Sequence, residues 1–151
     1  MSNDRALVAV DPGVCYAAWA VFLGDRVVLT KRGPWNELYG LIETTKPDEI
    51  VIERPRIYRG GPRHVSRDVQ LLIDTVHGFI ADHPGIFALF PSAWKGSVPK
   101  EVCRARIEAA GYRTAGMTHD EIDAVGIGLY AMGIVGRGMC RIRAKSKDKP
   151  G

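Results

Sequence analysis

Four carboxylates, Asp11, Glu53, Asp120 and Asp123, stand where acids can do chemistry together. Asp11 closes an apolar run from Arg5 to Val10 and is followed by Pro12-Gly13, a turn signal directly after a strand. Glu53 closes the run Glu49-Ile50-Val51-Ile52. Ligands gather outside strand C-termini in mixed α/β sheets, so both acids occupy positions a site would use. Asp120 and Asp123 are three residues apart at the start of a helical stretch, and so point from one face. The helix N-terminus favours their ionised forms by roughly 0.3–1 kcal/mol for an exposed group. Oxygen ligands from separate elements suit magnesium or manganese better than zinc. Two such ions held about 3.5–4 Å apart activate a water and stabilise the leaving oxygen of a phosphodiester. Singly, each acid also reads as a turn former, a strand-end surface acid or a first-turn acid complementing the dipole. Their joint placement favours the site.

Cations accompany these acids. Between Arg54 and Arg67 lie Arg54, Arg56, Arg59, Arg63 and Arg67, with Tyr58, glycines and prolines between them and no acid. An acidic cluster alone repels a polyanion, so neighbouring cations are what would hold a phosphate backbone there. Tyr58 reads equally as a base-stacking residue and as a local packing residue. A second group is Trp94-Lys95-Gly96 with Lys100 and Arg104. Lys100 at a helix start opposes the dipole, and such a local conflict often marks a ligand-facing residue. Trp94 reads as a packing residue. The tail holds Arg137, Arg141, Arg143, Lys145, Lys147 and Lys149, either an anchor for a polyanion or a solubilising end. His119 diverges from Asp120 by about 100° on a helix and is at best a supporting group.

The elements that must position these residues follow from pattern. Strands are expected over Arg5–Val10, Cys15–Phe22 and Arg26–Thr30, an antiparallel meander with short connections. A helix is expected over Trp35–Thr44, a strand over Glu49–Glu53 and a helix over Arg67–Asp82. A strand over Ile86–Phe90 and a loop over Pro91–Val98 come next. A helix opened by Pro99 and closed by Gly111 precedes a last helix running from Thr118 to about Gly136. Thr118 with Glu121 has the form of a capping box. Gly126, Gly128, Gly133 and Gly136 weaken that last helix by as much as ~1 kcal/mol each, so close packing on the sheet must compensate. Leu71 and Phe79 lie off the Val69–Val76–Ile80 stripe of the longest helix, marking either a dimer face or deeper burial. The order β-β-β-α-β-α-β-α-α predicts a mixed five-stranded α/β sheet, three antiparallel strands then two parallel ones, flanked by helices.

Bulk properties set the remaining limits. The chain has 151 residues, 25% of them charged and 46% hydrophobic, which fits one domain with its own core. The excess of 21 Lys+Arg over 17 Asp+Glu gives +4, mildly basic. Cys15, Cys103 and Cys140 form neither a disulfide framework nor a zinc pair. The N-terminal residues carry acid with no long apolar run behind them, so no signal peptide is expected. No stretch approaches the ~20 apolar residues of a membrane helix. A cytoplasmic setting without membrane association follows as the expectation.

The segments Val8-Ala9-Val10-Asp11-Pro12-Gly13, Ile50-Val51-Ile52-Glu53 and His119-Asp120-Glu121-Ile122-Asp123-Ala124 resemble, in order and spacing, the three acidic motifs of RuvC-type Holliday junction resolvases, within the RNase H-like superfamily. The likeness runs from the first strand to the last helix. The Asp-Pro-Gly turn alone is shared with sugar-kinase-like ATPases, but 151 residues leave little room for their phosphate loops and second domain. The chain departs from the family at Tyr16-Ala17-Ala18-Trp19, where a Thr-Gly pair is usual, and its small size is similar to compact phage or prophage members. The resemblance implies an RNase H-like nuclease domain over 1–137 and a basic flexible tail over 138–151. It implies that Asp11, Glu53, Asp120 and Asp123 bind Mg²⁺ or Mn²⁺, two ions per site, with Lys95 and Lys100 facing the scissile phosphate. Arg54, Arg56, Tyr58, Arg59, Arg63, Arg67 and Arg104 would then bind DNA. The implied activity is hydrolysis of four-way junctions and other branched DNA by a homodimer that needs no organic cofactor. The same residues also fit a flap or RNA-processing nuclease, or a non-catalytic protein that binds branched nucleic acid.

Overall fold

Period-two alternation decides which side of the sheet each acid faces. Leu7, Ala9 and Val51 are buried on one face, Val8, Val10 and Ile52 on the other. Asp11 and Glu53 continue the first of these rows, because side chains two apart on a strand share a face. The computed structural model describes residues 4–55 and 66–136. Arg56, Tyr58, Arg59, Arg63 and the expected tail lie outside them.

The five strands are β1 (Ala6–Asp11), β2 (Tyr16–Leu23), β3 (Arg26–Pro34), β4 (Glu49–Glu53) and β5 (Phe87–Leu89). Their order is β3-β2-β1-β4-β5, antiparallel among β1, β2 and β3, parallel among β1, β4 and β5, as the pattern predicts. The interior position of β2, between β3 and β1, explains why its run Ala17–Phe22 is buried on both faces. The helices are α1 (Trp35–Thr45), α2 (Arg67–Asp82), α3 (Pro91–Trp94), α4 (Lys100–Ala109) and α5 (His119–Ala131). One core joins Val8, Val10, Trp19 and Ile52 to Leu38 and Ile42 of α1 and to Val76 and Phe79 of α2. The other joins Leu7, Ala9, Phe22 and Val51 to Trp94, Cys103 and Ile107, and to Ile122, Val125 and Ile127 of α5. The acids therefore face the α3–α5 layer. Among the described residues no helix is long and apolar enough to cross a membrane.

Four expectations need correction. The third strand runs to Pro34, four residues past the expected Thr30, because its pairing with β2 continues as far as Tyr16. Pro91–Val98 is not all loop: Pro91 sits in the first turn of a short helix, and Lys95 N–H donates to Pro91 O at 2.8 Å. The last helix stops at Ala131, five residues before the expected end. Gly133 takes φ +73°, Gly133 N–H donates to Tyr130 O at 3.0 Å and Ile134 N–H to Leu129 O at 2.9 Å, a Schellman stop that glycine permits. On α2 the buried stripe is Ile73–Val76–Phe79, while Val69 and Leu71 are exposed. Phe79 is core because the aromatic rings of Trp35 and Tyr39 pack against it, each with centroids 5.5 Å away.

Gly128 shows how α5 approaches the sheet. A Cβ there would overlap the Phe22 ring, with Cζ only 2.7 Å away. Phe22 is fully buried and has nowhere to move. Gly128→Ala should therefore lower stability by about 1–3 kcal/mol, the scale of overpacking, instead of gaining the ~1 kcal/mol alanine brings to a free helix. Thermal unfolding measures this, and a raised midpoint would show that the contact is not tight.

Candidate active site

The turn after β1 is held from two directions. Trp35 Nε1 donates to Gly13 O at 2.9 Å. A Cβ on Gly13 would overlap the Tyr16 carbonyl, so glycine is required by close approach. Thr118 caps α5, accepting from Glu121 N–H at 3.2 Å while Glu121 accepts from Thr118 N–H at 2.7 Å. The first two contacts fix the end of β1 and the capping box fixes the start of α5.

Asp11, Asp120 and Asp123 each offer one carboxylate oxygen such that all lie within 4.8 Å of one another. Glu53 stands beside them, and its Oε2 accepts from Trp94 Nε1 at 2.7 Å. Burial, followed by the charges of Glu53, Asp123 and Asp120, holds the Asp11 carboxyl well above its usual range, against the pull of Lys95. Glu53 is pushed up to about 7 by burial and by Asp123, against the Trp94 indole and Lys95. Asp123 is raised by burial and Asp120, opposed by Lys95 and Lys100. Half-buried carboxylates that raise one another's proton affinity form an oxygen-only donor set short of positive charge. A hard divalent cation fits that set, whereas zinc would favour His or Cys.

Lys95 is the cation inside the cluster. Its Nζ lies 3.4 Å from Asp123 Oδ2, with side chains only 20% and 16% exposed. Burial alone would lower the Lys95 pKa, but Asp123, Cys103 and Glu53 outweigh it and raise it. Lys100, the first residue of α4, is exposed, yet its charge is felt at Asp123. Arg54 follows Glu53 and lies over the exposed Phe90 ring at 5.5 Å. Arg67 begins α2 and is exposed. Arg104 is turned to its own helix and loop: its Nε meets Thr114 Oγ1 at 2.9 Å and Glu108 Oε1 at 3.4 Å. His119 is exposed at the first turn of α5.

Two residues here escape sequence reasoning. Trp94 is fully buried, as expected, but it also donates to Glu53. Nothing in the pattern marks that role except adjacency to Lys95. Arg32 Nε lies 3.3 Å from Asp120 Oδ2. Strand register could have found it, because Asp11 pairs with Ala18 and Ala18 with Arg32, placing all three in one row and on one face.

Trp94→Phe keeps an aromatic ring but removes the N–H that favours ionised Glu53. Carboxyl carbon NMR should then show Glu53 titrating above about 7 in the variant. An unchanged midpoint would mean the indole does not tune this acid.

No family model matches this sequence, and no curated protein matches it. Among solved structures, it is similar to Thermus thermophilus RuvC in complex with Holliday junction substrate, at 18% identity and TM-score 0.60 over 88% of this chain and 99% of that one. A second Thermus thermophilus RuvC structure aligns at 17% identity and TM-score 0.56 over 87% and 98% of the two chains. The described residues have the RNase H-like fold of RuvC.

Proposed function

We propose that this protein is a divalent-cation-dependent endonuclease that hydrolyses phosphodiesters in branched DNA, with the four-way junction as its substrate. The observation that carries the reading is the convergence of Asp11, Asp120 and Asp123 within 4.8 Å, beside Glu53, at the end of the central strand. The likeness of fold to a RuvC solved with Holliday junction substrate supports the choice of substrate.

Asp11, Asp120, Asp123 and Glu53 would hold Mg²⁺ or Mn²⁺, two ions in the full form of the proposal. Bound there, the cations supply Lewis-acid activation of water and neutralise charge at the phosphate. The chain's own residues do the rest. Lys95 favours the ionised form of Asp123 against its burial, holds it in place and presents an ammonium to the scissile phosphate. Trp94 aims one oxygen of Glu53. Lys100, Arg54 and Arg67 bring positive charge to the rim, where it attracts the backbone. The arginines at 56, 59 and 63 and Tyr58 extend that contact in the proposal, and Arg104 enters only by exchanging Thr114 and Glu108 for phosphate. A homodimer would present two such sites to opposed strands. No organic cofactor takes part in the hydrolysis proposed, and the cytoplasmic setting and phage-like character belong to the same proposal.

The test is incubation of an end-labelled mobile four-way junction with Mg²⁺ and, separately, with chelator, beside a flap and an RNA–DNA hybrid. Paired, metal-dependent nicks across the junction are expected. Preferential cutting of the flap or hybrid would reassign the substrate, and binding without cutting would leave a branched-DNA binder.

A further inference from the structure

Arg32 and Tyr16 form a platform on the side of the site opposite Lys95. The sheet order places β3 two strands from β1 in one direction, while Glu53 and the α3 segment lie in the other. The row Asp11–Ala18–Arg32 carries the Arg32 side chain onto the catalytic face, and Tyr16, two residues before Ala18, shares it. The Arg32 guanidinium lies 4.9 Å over the Tyr16 ring and reaches Asp120 with Nε at 3.3 Å. Both side chains are open to solvent, each 48% exposed. Alanine at position 18 leaves no bulk between them and Asp11.

Such an arrangement fits a polyanion bearing flat bases. An exposed Arg–Asp pair is weak, so Arg32 can release Asp120 at little cost. Its planar fork carries five donors and matches a phosphate, and the ring beneath fixes its plane. A tyrosine beside an arginine at a strand end is a surface on which an unpaired base stacks, independent of base identity. We propose that the Tyr16–Arg32 pair is a second DNA contact, in which Arg32 exchanges Asp120 for a backbone phosphate beside the cut and Tyr16 stacks on an unpaired base. This deepens the nuclease reading and rests on it. The exchange also frees Asp120 for a divalent cation, so Arg32 competes with the cation when DNA is absent.

The test uses the full chain with Ca²⁺, to hold binding apart from cutting, and two fluorescein-labelled four-way junctions. One is fully paired; the other has unpaired thymines at the crossover. Arg32→Ala should weaken binding to both about tenfold at low salt and reduce the salt slope by about 1, and Arg32→Lys should restore most of that slope. Tyr16→Ala should weaken the unpaired-base junction about fivefold or more, and the paired junction less, while Tyr16→Phe behaves as wild type. Without DNA, Arg32→Ala should bind Mn²⁺ severalfold more tightly by titration calorimetry. Wild-type affinity and salt slope in folded Arg32→Ala and Tyr16→Ala, with junction cleavage intact in the wild type, would overturn this contact alone. Wild-type protein that neither binds nor cuts a junction would overturn the nuclease reading and this contact with it.

Discussion

Asp11→Asn should abolish junction cleavage, with a loss on the order of 10³-fold, while junction binding stays within about twofold of wild type. The substitution keeps the shape of the side chain and removes its charge. Asp11 is the acid most surrounded by the others, its proton affinity raised by burial and then by Glu53, Asp123 and Asp120. In the proposed centre an amide there gives up one anionic ligand from a set of four, and removing one preorganised electrostatic group from a catalytic site commonly costs 10²–10³-fold or more. Binding is assigned in the proposal to cations at the rim, which the change leaves in place. Asp123→Asn should behave alike, with the added consequence that Lys95 loses its 3.4 Å partner. Single-turnover nicking and fluorescence anisotropy on the same labelled junction separate the two quantities. Unchanged cleavage in either variant would remove the cluster from the chemistry.

The second large effect is on stability, and it depends on pH and metal together. Glu53 titrates near 4.5 ordinarily and near 7 in the fold, so the folded chain binds more protons over that interval. Stability from this group is unaffected below pH 4.5, falls as pH rises towards 7, and stays low above it. Asp11 and Asp123 are raised too and act in the same direction. For Glu53 the shift corresponds to roughly 3 kcal/mol of penalty, or about 5–10 °C in the melting temperature of a chain this size. A divalent cation offsets that cost of burial and repulsion only where the acids are ionised. Metal-free protein should therefore gain several degrees on addition of about 10 mM Mg²⁺ at pH 8 and almost nothing at pH 5. Asp11→Asn should raise the metal-free melting temperature at pH 8 and shrink the gain from Mg²⁺. Equal gains at both pH values would show that the cation acts somewhere other than these carboxylates.

The sheet was readable because each strand announces itself by alternation or by an apolar run closed with a turn. Glu49–Glu53 and Arg67–Asp82 fall where pattern puts them. The helix ends were harder, since Gly133 and Gly136 both offer a stop and only the hydrogen bonds of Gly133 and Ile134 select the first. The short α3 was hidden because four residues carry no period. At the site, Asp11 and Glu53 were legible from strand-end position, and Asp120 with Asp123 from helical spacing and a capping box. Trp94 was not, because it is 41 residues from Glu53 and meets it only in three dimensions. Arg32 was missed because pattern ends the third strand at Thr30, whereas it runs to Pro34 and pairs Arg32 with Ala18. Arg104 adds partners that its charge alone does not announce. Its charge suggested DNA, and folding gives it Thr114 and Glu108 as partners nearer in sequence.

The most direct measurement is diffraction from crystals of the protein grown or soaked with Mn²⁺, using the anomalous signal to locate the ion. The expected result is an anomalous peak touching oxygens of Asp11, Asp120 and Asp123, with Arg32 withdrawn from Asp120. A well-ordered site with no peak at saturating Mn²⁺, or a peak elsewhere on the surface alone, would contradict a cation-dependent nuclease centre built from these four acids.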